Sequence, residues 1–90
     1  GIKNSNAINN VTVYPNPAKE MITISASLSK TQWVTLNLFD MNGKLVSTQT
    51  ENSTNANYTK TLSLEGLSSG VYMIQIITNN GSVQNRIVKQ

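Results

Sequence analysis

Apolar and polar residues alternate with a period of two through most of this 90-residue chain, and this pattern constrains the fold more than any other feature. Successive side chains of a strand point to opposite faces, so the alternation marks strands with one buried and one solvated face. No stretch longer than a single turn carries helical spacing. Gly, Asn, Asp and Pro interrupt the alternation roughly every ten residues, the spacing of short strands stacked as two sheets.

Seven runs follow. Residues 11–14 form the first, stopped by Pro15-Asn16-Pro17, which cannot lie inside a central strand because proline has no N–H to donate. In the second, residues 21–26, Ile22, Ile24 and Ala26 share a face, and a polar segment, 29–31, comes after it. The third, 33–39, sends Val34, Leu36 and Leu38 one way and Trp33, Thr35, Asn37 and Phe39 the other. Asp40-Met41-Asn42-Gly43 is then a hairpin turn: Gly43 tolerates positive φ, and Asp40 and Asn42 can bond nearby backbone. Residues 44–50 return as its partner, and 51–57 read as a polar loop. Residues 58–64 place Leu62 and Leu64 inward. Residues 71–78 are apolar on both faces for part of their length and belong in the middle of a sheet. Asn79-Asn80-Gly81 turns the chain into a last run, 82–89.

Seven half-buried strands bury their apolar faces only by stacking as two sheets. The predicted fold is therefore all-β: a seven-stranded antiparallel immunoglobulin-like β-sandwich, with a Greek-key path supplying the connections between sheets. Residues 1–10 read as a polar linker and residues 11–90 as the domain, so the chain reads as part of a longer polypeptide.

Composition then narrows function. The chain has no cysteine and no histidine, so disulfides, thiolate zinc sites, thiol nucleophiles and a Ser-His-Asp triad are all excluded. Its carboxylates (Glu20, Asp40, Glu51 and Glu65) are scattered, and no enzymatic activity, metal or cofactor is expected. Seven cations give a formal charge of +3. They are dispersed, as lysines that keep strand edges soluble are, and not striped as in nucleic-acid binders. Neither nucleic acid nor a small-molecule substrate is expected as a partner.

Individual residues carry two readings each. Trp33 either stacks on a sugar ring or caps one end of the core. Tyr72 shares a face with Ile74 and Ile76, which assigns it to the core with its hydroxyl bonded at the edge. Asp40 and Asn42 could hold calcium, but such a site needs six or more oxygens and this turn offers few. Turn chemistry accounts for both.

Several segments, taken in order, resemble one family. Tyr14-Pro15-Asn16-Pro17 opens the domain, residues 38–46 (LFDMNGKLV) form the hairpin, residues 64–72 (LEGLSSGVY) lead into the most apolar strand, and Arg86-Ile87-Val88-Lys89 closes the chain. Together they resemble the type A C-terminal sorting domain of the type IX secretion system of Bacteroidetes-group bacteria. The resemblance implies a C-terminal secretion signal. An upstream cargo on the same polypeptide would pass through the periplasm, be directed through the outer-membrane type IX translocon, and reach the cell surface or the medium. A sortase-like surface peptidase would then remove the domain, cutting in or before residues 1–10.

The matching family positions are Pro15, Asn16, Pro17, Asp40, Gly43, Gly70 and Tyr72. The resemblance makes Arg86, Ile87, Val88 and Lys89 the candidates for recognition by translocon or peptidase. A terminal strand at a sheet edge offers unpaired backbone groups to which a partner can add a strand. Gln90 departs from the basic or apolar ending expected of the family. Two other readings stand beside this one: a carbohydrate-binding or adhesive module, which needs Trp33 as an exposed platform, and a passive spacer, which needs no partner.

Overall fold

The computed structural model describes residues 8–28, 32–53, 57–78 and 81–90. These form seven strands: β1 (Ile8–Tyr14), β2 (Met21–Leu28), β3 (Gln32–Asp40), β4 (Leu45–Ser53), β5 (Asn57–Ser63), β6 (Gly70–Thr78) and β7 (Gly81–Lys89). A three-stranded sheet has the order β1-β2-β5, and a four-stranded sheet the order β4-β3-β6-β7. Every strand pairing within them is antiparallel. The fourth strand sits beside the third, where the constant-type immunoglobulin arrangement would place it with the first, second and fifth.

The core follows the alternation. From the three-stranded sheet, β2 contributes Ile22, Ile24, Ala26 and Leu28, and β5 contributes Tyr58 and Leu62, with Leu64 just beyond its end. They meet Val34, Leu36 and Leu38 of β3, Tyr72, Ile74 and Ile76 of β6, and Ile87 of β7. As expected, β6 is central, paired with both β3 and β7. Outer faces are tied across strands by hydroxyl and amide pairs, such as Thr23 with Thr61 at 3.2 Å and Asn37 Nδ2 donating to Gln75 at 3.2 Å.

Some boundaries differ from the sequence reading. β1 opens at Ile8, so residues 8–10 of the expected linker are strand. Ile8 and Asn9 pair with Leu28 and Ser27, and a register shift before Thr12 lets the polar stretch continue the ladder. Glu51, Asn52 and Ser53, read as loop, lie in β4 opposite Val34, Trp33 and Gln32. Polarity misled there because polar side chains fill inward positions of this edge strand: Glu51 meets Tyr58 and Lys60 of β5, and Ser53 is buried. Linker residues 1–7, the polar segment 29–31, loop residues 54–56 and the turn residues Asn79 and Asn80 lie outside the described residues.

Candidate recognition end of the sandwich

Antiparallel pairing gives the sandwich two unlike ends. Ile8 lies at one end, beside Leu28, and Tyr14 lies at the opposite end of the same pairing, beside Thr23. The other end gathers segments far apart in sequence. Asp40 pairs with Tyr72, and Gly70 pairs with Lys89. Ala18 forms a parallel bridge with Lys89. Pro15, Asn16, Pro17, Asp40, Gly43, Gly70, Tyr72 and residues 86–90 therefore share one end. A strand of eight or nine residues separates the two ends by roughly 26 Å, at about 3.3 Å per residue.

Local chemistry explains the family positions. Asp40 Oδ1 accepts from the amides of Asn42 (2.9 Å) and Lys44 (3.0 Å), and Gly43 N–H donates to the Asp40 carbonyl at 3.0 Å. Gly43 has φ 86°, a conformation that L residues with a Cβ rarely adopt. This carboxylate is thus spent on its own turn, as the turn reading expects. Tyr72 is buried and its hydroxyl donates to the Ser68 carbonyl at 2.7 Å. That is a tyrosine corner, which locks the loop before β6. Gly70, at φ 153°, makes the bend between Ser68 and Tyr72.

The Pro-Asn-Pro segment does more than kink the chain. Both X-Pro bonds, Tyr14–Pro15 and Asn16–Pro17, are cis. Asn16 lays its side-chain amide along the outer edge of β7: Nδ2 donates to the Arg86 carbonyl at 3.2 Å, and Val88 N–H donates to Oδ1 at 3.0 Å. Ala18 continues the ladder, its N–H donating to the Val88 carbonyl and its carbonyl accepting from Gln90 N–H, both at 2.7 Å. The Ala18 side chain is fully buried in the core. The sequence held no signal for this contact, since Asn16 and Val88 lie 72 positions apart.

The recognition candidates divide. Ile87 is fully buried and packs in the core, so its side chain cannot be read on the folded domain. Arg86 is exposed, while Val88 and Lys89 are half-buried. Arg86 makes no ion pair among the described residues, where the pair between Lys60 and Glu51 at 3.5 Å lies in other strands. The edge expected to be open for strand addition is closed over residues 86–90, because Asn16 and Ala18 already occupy it. Two shallow grooves flank this end. One, of about 470 Å³, is lined by Pro15, Pro17, Met21 and Gln90. The other, of about 380 Å³, is lined by Phe39, Met41, Val71 and Met73.

Trp33 lies away from this end and is 57% exposed, so it does not cap the core. Among the described residues no three acidic side chains come together as a metal site would require.

A small two-sheet sandwich that gathers its distinctive residues at one surface end has the build of a recognition module. The chain belongs to the family of secretion system C-terminal sorting domains, whose model matches residues 12–90; this is the C-terminal sorting domain of type IX secretion. A crystal structure of dimeric latent PorU from Porphyromonas gingivalis contains the same fold, with a TM-score of 0.76 at 18% identity, over 99% of this chain. The chain spans 10% of that protein's length. No curated protein matches the sequence.

Proposed function

We propose that this domain directs an upstream cargo on the same polypeptide through the outer-membrane type IX translocon, and that a sortase-like surface peptidase then removes it. The cargo would cross the periplasm on the way to the cell surface or the medium. Family membership supports the sorting role. The observation that carries the reading further is the polarity of the sandwich: the family positions meet at one end, and the chain enters at the other. A partner can therefore hold the far end while the cargo, joined upstream of Ile8, stays clear of the contact. On this reading cleavage falls before Ile8, which is supported by the pairing of β1 from that residue onward, since a peptidase needs unpaired chain. Arg86 and Lys89, together with Lys19 and Lys44, which are exposed at the same end, are candidates for charge-guided recognition, which sets specificity and register more than raw affinity.

The test is a fusion of residues 1–90 to a periplasm-directed fluorescent protein in a bacterium with type IX secretion. Fluorescence should reach the surface or the medium and stay inside in a translocon mutant. Retention of a folded, uncleaved fusion in the periplasm would overturn the reading. Exposure of Trp33 favours one second reading, an adhesive or carbohydrate-binding module. A glycan panel that leaves tryptophan fluorescence unchanged removes it.

A further inference from the structure

The parallel rung between Ala18 and Lys89 fixes a register in which the residue two before Ala18 stands opposite Ile87. In a parallel ladder, that residue would donate to the carbonyl of residue 86 and accept from the amide of residue 88. Here the side-chain amide of Asn16 makes both bonds. It is the one side-chain type that fits: short, neutral, and carrying an acceptor and a donor on one plane. Its neighbours are prolines, which have no N–H to leave unpaired. The result is that Arg86 C=O, Val88 N–H, Val88 C=O and Gln90 N–H are all occupied on what is otherwise an outer edge.

We infer that Asn16 is a positioning residue for sorting: its amide latches residues 86–90 to the sandwich, so that the secretion machinery meets this segment as a fixed face. Strand addition at this stretch is blocked while the latch is closed. Recognition runs instead through side chains. Arg86 and Val88 stand on the outer face beside Met73 and Val71, their partners across the β6–β7 ladder. A guanidinium next to methionine and valine suits a protein partner that presents a carboxylate among apolar groups. The inference rests on the proposed sorting role for its functional half only; the latch itself is tested on the isolated chain.

Amide exchange measured residue by residue gives that first test. Val88 and Gln90 should be protected although they face outward on an edge strand, while Ser82 and Gln84 on the same edge exchange freely. Asn16→Ala should speed Val88 exchange about tenfold, the worth of one to two net hydrogen bonds. Asn16→Asp keeps the acceptor for Val88 but sets a carboxylate against the Arg86 carbonyl, and should fall between the two. Near-unchanged thermal midpoints would show that both variants fold. Equal exchange at Val88, Gln90 and Gln84 in the unaltered chain would sink the latch.

In the fluorescent fusion, both variants should then lose transport several-fold, in the order of their Val88 exchange rates. Full transport by Asn16→Ala with an opened strand would overturn the positioning role and favour strand addition, while leaving the sorting role intact. A failure of the sorting role itself would show differently, as retention of the unaltered fusion.

Discussion

Tyr58 joins the two sheets through one hydrogen bond. It lies buried on β5, and its hydroxyl donates to Glu51 of β4 at 2.6 Å. Burial, then the hydrogen bond and charge of Glu51, push its ionisation well above the ordinary tyrosine range. An unfolded chain therefore loses this proton first, so stability is fully present below about pH 10 and falls as pH rises beyond it. Tyr58→Phe should cost about 1–2 kcal/mol at pH 7, a charged hydrogen bond's net worth less screening by water. The gap from the unaltered domain should close as pH climbs past about 10, because the variant has no proton to lose there. Urea midpoints at the two pH values measure it; an equal gap at both would mean that another group carries the effect. Some residues of this kind were legible in the sequence. Tyr72, on an apolar face with its hydroxyl needing a partner, was placed correctly because period-two patterning is local. Asn16 shows in the sequence only as part of a kink, since no local pattern announces a partner on the last strand. Trp33 illustrates the converse: size argues for burial, but its place on an outward position of β3 decides.

At the scale of a strand, β7 carries two duties on alternate residues. Its inward side delivers Ile87 to the core, and its outward side displays Arg86 and Val88. Ile87→Ala should cost about 2–5 kcal/mol, from lost burial and the cavity left behind. A domain of this size has only about 5–13 kcal/mol in total. Deleting residues 87–90 therefore removes a core side chain and the rung to Ala18 along with any recognition signal, so loss of transport on truncation cannot be ascribed to recognition. Paired Arg86→Ala and Lys89→Ala changes separate the two. In urea unfolding they should lower stability by no more than about 0.5 kcal/mol at exposed Arg86 and about 1 kcal/mol at half-buried Lys89, while lowering transport of the fusion several-fold. Unchanged transport would remove these side chains from the recognition surface. The strands themselves were readable because each has one face committed to a core, and the turn at residues 40–43 because its chemistry is contained within it. The edges were not. Whether β7 is open depends on where the Pro-Asn-Pro segment docks, which is a property of the closed sandwich.

Across the whole molecule, the longest dimension is 35 Å, and the two ends differ in which segments they carry. The chain enters β1 at Ile8 at one end. Gln90 sits at the other, its backbone amide held by Ala18, and it lines the groove beside Pro15 and Pro17. This polarity gives the sorting role a geometric consequence that sequence similarity alone does not supply. Lengthening the connection upstream of Ile8 with a flexible Gly/Ser segment moves the cargo without touching the far end, and transport of the fusion should be unaltered. A small folded domain joined directly after Gln90 crowds Arg86, Lys89 and both grooves at once, and transport should be abolished although the sandwich remains folded. Quantifying surface fluorescence for the two fusions against the parent compares them directly. Equal transport by both would mean that the far end is not what the translocon meets, and recognition would then have to be sought near Trp33 and the β1 entrance.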